Sequence, residues 1–204
     1  MERVTLKGLE KVFKHHRPRE REAPHRIPSA VLVPILEKEG ILHLLFIRKA
    51  EDNSRHSGQV SFPGGAYEEN DRDLLTTALR ETHEELGIPP HLWRILGRLE
   101  AVRTRGTPFV IHPFVGYLEG EATFTPNPQE VARIFTVPMD YILERHPFQV
   151  HPLKWKGKTY NTFVIPYQGE IIWGATARIL DALCHLVKGT PPNAGGGSHR
   201  GGRP

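Results

Sequence analysis

A chain of 204 residues with 38% hydrophobic and 25% charged residues has the ordinary balance of one compact globular domain. No segment approaches the roughly 20 consecutive apolar residues of a membrane-spanning helix, and the charged opening MERVTLKGLEKVFK lacks a signal-peptide core, so a soluble, cytoplasmic protein with no membrane partner is expected. The single cysteine, Cys184, excludes an internal disulfide and a multi-cysteine zinc site, and it reads as core filling. The net charge of +4 gathers at the ends: residues 1–28 carry eight Lys and Arg against four Glu, and Arg200 and Arg203 lie in the last sixteen positions. Solvated charge accounts for that excess, so a nucleic-acid partner is not expected.

Residues 1–27 read as a polar helix from about Thr5 to His15 and a proline-broken connector over Arg17–Pro28, packed on the domain that follows. AVLVPIL (Ala30–Leu36) and ILHLLFIR (Ile41–Arg48), joined by a segment ending in Gly40, predict a hairpin of two largely buried strands. The polar stretch Lys49–Gly58 leads into GQVSFPGG, where Pro63 and the paired glycines stop regular structure. A helix is predicted from about Arg72 to Leu86, with Leu75, Leu79, Thr82 and Leu86 as its packing stripe and Gly87 as its end. Arg94–Val102, Phe109–Leu118, Val131–Val137 and Tyr160–Pro166 are strand candidates, and Pro138–Leu143 and Gly174–Val187 are helical ones. This irregular mixture predicts a layered α/β or α+β domain over residues 28–188. From Gly189 onward GTPPNAGGGSHRGGRP is too polar to bury surface, so residues 189–204 are expected to form a disordered tail. Its Arg200 and Arg203, set among glycines, are too few to mark an RNA-binding segment.

The chemistry concentrates in ALRETHEELGI. Glu81, Glu84 and Glu85 stand at i, i+3 and i+4, so they share one side of the predicted helix, and that side is expected to face away from the leucine stripe. Like charges so close repel one another and invite a cation. Hard ions such as Mg²⁺ or Mn²⁺ prefer carboxylate oxygens and bind substrate phosphates, and a pair of them can activate water and stabilise a transferred phosphoryl group. Arg80 is placed to orient a neighbouring carboxylate. Taken alone, the helix is better explained as a solvated acidic face, and only its context turns the reading toward a metal.

The wider context resembles the Nudix box: Gly64 and Gly65, a polar loop, then RETHEELGI from Arg80. The usual form of that box carries a glutamate six residues after the glycine and seven residues before the arginine; here Asp71 stands at that point, with eight residues between it and Arg80. The same variation resembles the coenzyme A diphosphatase branch. So does LLFIRKAEDNSRHSGQVSFPGG (Leu44–Gly65), which matches that branch's upstream motif at Arg48, His56, Gly58, Gln59, Phe62 and Pro63, with further likeness in PFVGYL, NPQEV to VPMDYIL, and IWGATARIL.

The resemblance implies the Nudix fold, a mixed β-sheet sandwiched between α-helices. It implies Glu84 and Glu85 as a metal-binding pair and Glu81 as a residue that binds metal or helps activate water. Gly64 or Gly65 would lend a backbone carbonyl, and Glu130 would add a fourth carboxylate unless it is a solvated loop acid. Arg48, His56, Gln59 and Phe62 are expected at the substrate, although turn-forming hydrogen bonds account equally for His56 and Gln59. Arg103, with Arg48, Arg55 and Arg105, is a candidate for phosphate contact, a role that guanidinium groups suit.

The expected activity is metal-dependent hydrolysis of the pyrophosphate of coenzyme A or acyl-CoA, with Mg²⁺ or Mn²⁺ as cofactor and this small molecule as the partner; a homodimer is compatible with it. ADP-ribose, NADH or a nucleoside triphosphate are the competing substrates. A nucleotide-binding regulatory module is the competitor of another class, and the full RE-x-x-EE cluster argues against it.

Overall fold

The computed structural model describes residues 3–19, 23–51 and 57–191. His56 and Arg55 lie outside them, as does the expected tail from residue 192 onward. The chain opens with α1 (Leu6–His15), whose N-terminus is capped by Thr5 accepting the Gly8 N–H at 3.2 Å. Leu9 and Phe13, one turn apart, are both buried. The helix that reads as polar is therefore amphipathic, and a two-residue apolar contact is enough to dock it. An ion pair from Glu10 to Arg94 at 2.6 Å borders that contact.

The expected hairpin is present as β1 (Ile27–Lys38) and β2 (Ile41–Lys49). Glu39 and Gly40 turn it with φ of 51° and 74°, the paired left-handed conformations that a two-residue type I′ turn needs. Then come β3 (Val60–Ser61), β4 (Gly64–Ala66), α2 (Leu74–Leu86), β5 (Trp93–Arg98), β6 (Val102–Arg103) and β7 (Phe109–Leu118). The remainder is β8 (Val131–Pro138), α3 (Met139–Arg145), β9 (Val150–Trp155), β10 (Lys158–Tyr167), β11 (Glu170–Trp173) and α4 (Gly174–Lys188).

Among the described residues β1 to β8 form one mixed sheet with β1 near its centre, antiparallel to β2 and β4 and parallel to β7. Strand β2 extends the sheet to β3 and β8, and β7 extends it to β5 and β6. Strands β9, β10 and β11 make a separate antiparallel sheet. Alternation along β1 sends Leu32 and Leu36 to one face of the large sheet, where α2 contributes Leu86, and Val33 and Ile35 to the other, where α1, α3 and α4 contribute Phe13, Ile142 and Leu180. A strand buried on both faces has no polar side to show, which is why AVLVPIL is an unbroken apolar run.

The strand expected over residues 94–102 is two pieces, β5 and β6. Strands β9 and β11 were not foreseen. VHPLKW in β9 is mostly exposed and contains Pro152, and β11 is only four residues long and buries Glu170 while exposing Ile171, so neither shows the alternation of apolar and polar residues that marks a strand in sequence. The first residues of the expected tail are ordered by α4: Gly189 caps it in the left-handed region (φ 64°), and the Thr190 N–H donates to the His185 carbonyl at 3.0 Å.

If α1 is part of the core, Phe13→Ala should lower the stability of the whole domain by about 3 kcal/mol, the usual cost of deleting a buried aromatic side chain. Urea unfolding followed by tryptophan fluorescence checks this, and unchanged stability would mean that α1 is an appendage.

Candidate active site

Helix α2 begins where Asp73 accepts the Thr76 N–H at 2.7 Å and ends at Gly87, which is left-handed with φ 73°. Its sheet-facing side is Thr77, Ala78, Thr82, Glu85 and Leu86, with Leu79 half-buried beside them. The glutamates are thus not gathered on a solvent face opposite the apolar stripe. Glu84 is exposed, Glu81 half-buried, and Glu85 only 3% exposed. Residues four apart on a helix sit about 40° apart around its axis, so Glu81 and Glu85 share the edge of the packing face while Glu84 lies 100° away.

That edge lies against β4. The Gly64 N–H donates to Oε2 of Glu85 at 3.0 Å, and Lys49 Nζ is 3.6 Å from its Oε1. A side chain on Gly65 would collide with the Glu81 carboxylate, and one on Gly64 with the Ala30 carbonyl. The two glycines are needed here for close approach as well as for turning. Burial pushes the Glu85 carboxyl up to about 7, with Lys49 and the Gly64 N–H pulling the other way and Glu81 and Glu130 adding to the rise. Burial likewise raises Glu81, opposed by Arg80 and reinforced by Glu84 and Glu130. Glu130, at the start of β8, is exposed, and its charge reaches both glutamates; its carbonyl accepts the Ala50 N–H at 2.9 Å.

Arg80 organises the surroundings. Its Nε and Nη2 grip the two oxygens of Asp71 at 2.9 and 3.0 Å, its Nη1 reaches Glu81 at 3.1 Å and Glu84 at 3.3 Å, and its Nη2 donates to the Ala66 carbonyl at 3.3 Å. Asp71 is buried and also accepts the Glu68 N–H at 3.0 Å and the Thr77 hydroxyl at 2.8 Å. The Arg80 hydrogen bonds, helped by these donors, hold its carboxyl well below the usual range against the cost of burial. Asp71, the residue that departs from the family pattern, is therefore spent on pinning the turn after β4 to α2.

The α2 glutamates stand apart. Among the described residues the one set of His, Cys, Asp and Glu with ligand atoms all within 4.8 Å of one another is His146, Asp181 and His185, on the other face of the sheet. Arg80 draws Glu81 and Glu84 toward itself, while Glu85 turns under Gly64. Repulsion between like charges disfavours their closer approach.

The remaining candidates are more scattered. Phe62 is 2% exposed and stacks on Phe46 with centroids 4.8 Å apart, which is a packing position. The carbonyl of Gln59 accepts the Lys49 N–H at 2.9 Å. Arg48 is next to Lys49 but points to the opposite face, where Glu170 on β11, itself buried, sits 3.6 Å away and is also held by Arg133 at 3.0 Å. Arg48 borders a cavity of about 560 Å³ that Ser57, Gly58, Lys154, Trp155 and Lys156 also line. Arg103 lies on β6, exposed, its carbonyl accepting from Arg178 at 2.7 Å, and Arg105 donates to the Asn161 carbonyl at 3.4 Å. Sequence reasoning missed Lys49, Glu170, Lys154 and Trp155; only Lys49, a charge at the end of an apolar strand, carried a signal.

Residues 26–156 match the model of the NUDIX domain family. A protein of Pectobacterium atrosepticum named Uncharacterized Nudix hydrolase NudL is 35% identical over 167 residues, which is 80% of this chain and 84% of that one. One of the same name from Photorhabdus laumondii is 35% identical over 171 residues, 84% and 90% of the two chains. The crystal structure of a MutT/nudix family protein from Enterococcus faecalis superposes with a TM-score of 0.53 over 91% of this chain and 70% of that one, at 14% identity, a likeness of fold alone. The chain belongs to the Nudix family: it is a Nudix hydrolase of pyrophosphate bonds with the mixed sheet between helices expected of it, and Nudix hydrolases generally use divalent metal ions. Among the described residues no helix is long and apolar enough to cross a membrane.

Asp71→Asn should destabilise the protein by about 3 kcal/mol, since it removes the buried carboxylate that the partly buried Arg80 grips with two nitrogens. Because the Asp71 carboxyl is depressed in the folded state, its contribution is complete above the ordinary value of 3.8 and is lost as pH falls below it. Denaturation from pH 7 to pH 3 should therefore show a steeper acid loss in the wild type than in the variant; parallel curves would remove Asp71 from this role.

Proposed function

We propose that Glu81, Glu84 and Glu85, with Glu130 beside them and the carbonyl of Gly65, hold Mg²⁺ or Mn²⁺, and that the enzyme cleaves the pyrophosphate of coenzyme A or acyl-CoA. The observation that carries the metal reading is Glu85, an acid buried to 3% exposure with two further carboxylates at its side and only Lys49 and one backbone N–H in compensation. Such an arrangement is costly unless further positive charge arrives. Divalent ions would supply that charge, lowering the pKa of the attacking water and steadying negative charge on the phosphoryl oxygens. The chain's own part is positional: Gly64 and Gly65 let the β4 backbone approach the carboxylates, and Arg80 fixes Glu81 and Glu84 relative to that backbone. Glu81 is the residue we assign to take a proton from water, since burial already favours its protonated form.

The substrate reading is supported by the motif from Leu44 to Gly65, by Arg48 within it, and by the cavity beside Arg48, where Lys154, Lys156 and Trp155 offer cationic and aromatic surfaces. Coenzyme A carries a ribose phosphate and an adenine that such a lining would accept. Purified protein with free coenzyme A and Mg²⁺ or Mn²⁺ should yield adenosine 3′,5′-bisphosphate and 4′-phosphopantetheine by mass spectrometry. Faster cleavage of ADP-ribose in parallel would reassign the substrate while leaving the metal site in place.

Two variants test the site itself. Glu84→Gln should fold normally and lose on the order of 10²-fold or more in turnover, as removal of a charge-stabilising group does. Gly65→Ala should leave the fold intact, because the clash is with the far end of the Glu81 side chain rather than with backbone, yet weaken Mn²⁺ binding by roughly tenfold through displacing that carboxylate. Titration calorimetry with Mn²⁺ reads the second effect; unaltered affinity would take Glu81 out of the metal site.

A further inference from the structure

On the face of the sheet opposite α2, His146 closes the C-terminus of α3, while Asp181 and His185 stand four residues apart on one side of α4. Nε2 of His146 is 3.1 Å from Oδ1 of Asp181, and Nε2 of His185 is 3.7 Å from Oδ2. The two imidazoles meet edge to face with centroids 4.5 Å apart. With one ligand atom taken from each residue, all three lie within 4.8 Å of one another, which small side-chain adjustments would bring to the roughly 3.3–3.4 Å separation around a tetrahedral cation with bonds of about 2.0–2.1 Å.

A second observation comes from His185 itself. The residue is 6% exposed, its Nδ1 is engaged by the Thr190 hydroxyl at 2.9 Å, and its Nε2 is buried with no hydrogen-bond partner. A buried polar atom without a partner calls for an explanation. This one is aimed at a carboxylate too distant for a hydrogen bond yet well placed to share a cation with it.

We propose that His146, Asp181 and His185 form a site for one transition-metal cation of the Zn²⁺ class, distinct from the α2 carboxylates. Two imidazoles and one carboxylate suit Zn²⁺ and its neighbours, and they offer too few oxygens for Mg²⁺ or Ca²⁺. The Lys188 ammonium, which donates to the His146 carbonyl at 2.8 Å, works against a cation, and the Asp181 charge offsets it. Asp181 is the more open member, with 19% of its side chain exposed, and provides the way in from solvent. A bound ion would clip the end of α3 to α4 and contribute stability rather than turnover.

Protein stripped with a chelator and then held in excess Mg²⁺, which saturates oxygen-ligand sites, is titrated with Zn²⁺ and separately with Co²⁺. The expected results are one Zn²⁺ retained per chain by elemental analysis, a visible Co²⁺ absorption band of tetrahedral type, and a rise in unfolding midpoint of roughly 5–10 °C at a hundredfold excess of Zn²⁺ over its dissociation constant. Asp181→Asn and His185→Gln should abolish all three, whereas Glu84→Gln should keep them. Wild-type protein that retains no Zn²⁺ under Mg²⁺ would overturn the site without reference to any variant. So would retention that survives Asp181→Asn, or that disappears with Glu84→Gln.

Discussion

The forked pairing of Arg80 with Asp71 sets the relation between α2 and the glycine turn, and the rest of the site depends on it. Both guanidinium contacts to Asp71 are at hydrogen-bond length, and the carboxylate is buried with further donors from Glu68 and Thr77. A planar fork on a planar acceptor defines direction as well as distance. The same arginine has its remaining donor on Glu81 and Glu84. One side chain thus ties the turn that follows β4 to the helix that carries the acids, and limits how far those acids can swing.

Within that frame, close approach does the work that bulk does elsewhere in the domain. Gly64 and Gly65 pair with Val31 and Ala30 of β1 while leaving room for the Glu85 and Glu81 carboxylates on their other side. Desolvation of Glu85 is offset only in part by Lys49 and the Gly64 N–H. Under the proposed reading a hard cation supplies the missing compensation, and Nudix hydrolases, the family to which the chain belongs, generally use divalent metal ions.

The sheet also separates functions. Adjacent residues of a strand face opposite ways, so Lys49 meets Glu85 on the α2 side while Arg48 meets Glu170 on the other. The His146, Asp181 and His185 cluster at α3 and α4 is therefore not an extension of the carboxylate site, whereas the cationic, aromatic-lined cavity at Arg48 adjoins that site through the end of β2, where Arg48 and Lys49 are neighbours. Each draws on residues brought in by the C-terminal part of the chain, β9 to β11 and α4.

Much of this was legible in the residues alone. Unbroken apolar runs at Ala30–Leu36 and Ile41–Arg48 could only be strands buried on both faces, and the glycine pair followed by Arg80, Glu81, Glu84 and Glu85 marked the family and the acidic helix, because these are local patterns written in neighbouring positions. What the sequence could not express is rotation and long-range pairing. Whether Glu85 faces water or Gly64 depends on how α2 is turned against β4, and the task of Asp71 depends on an arginine nine residues away returning to it. The core position of Phe62, the pairing of Arg48 with Glu170, and the meeting of His146 with Asp181 and His185 likewise follow from contacts between segments distant in the chain. By itself the sequence determined most of the elements, the family and the acids; only tertiary packing decided which of those acids is buried, which is a strut, and what gathers on the far side of the sheet.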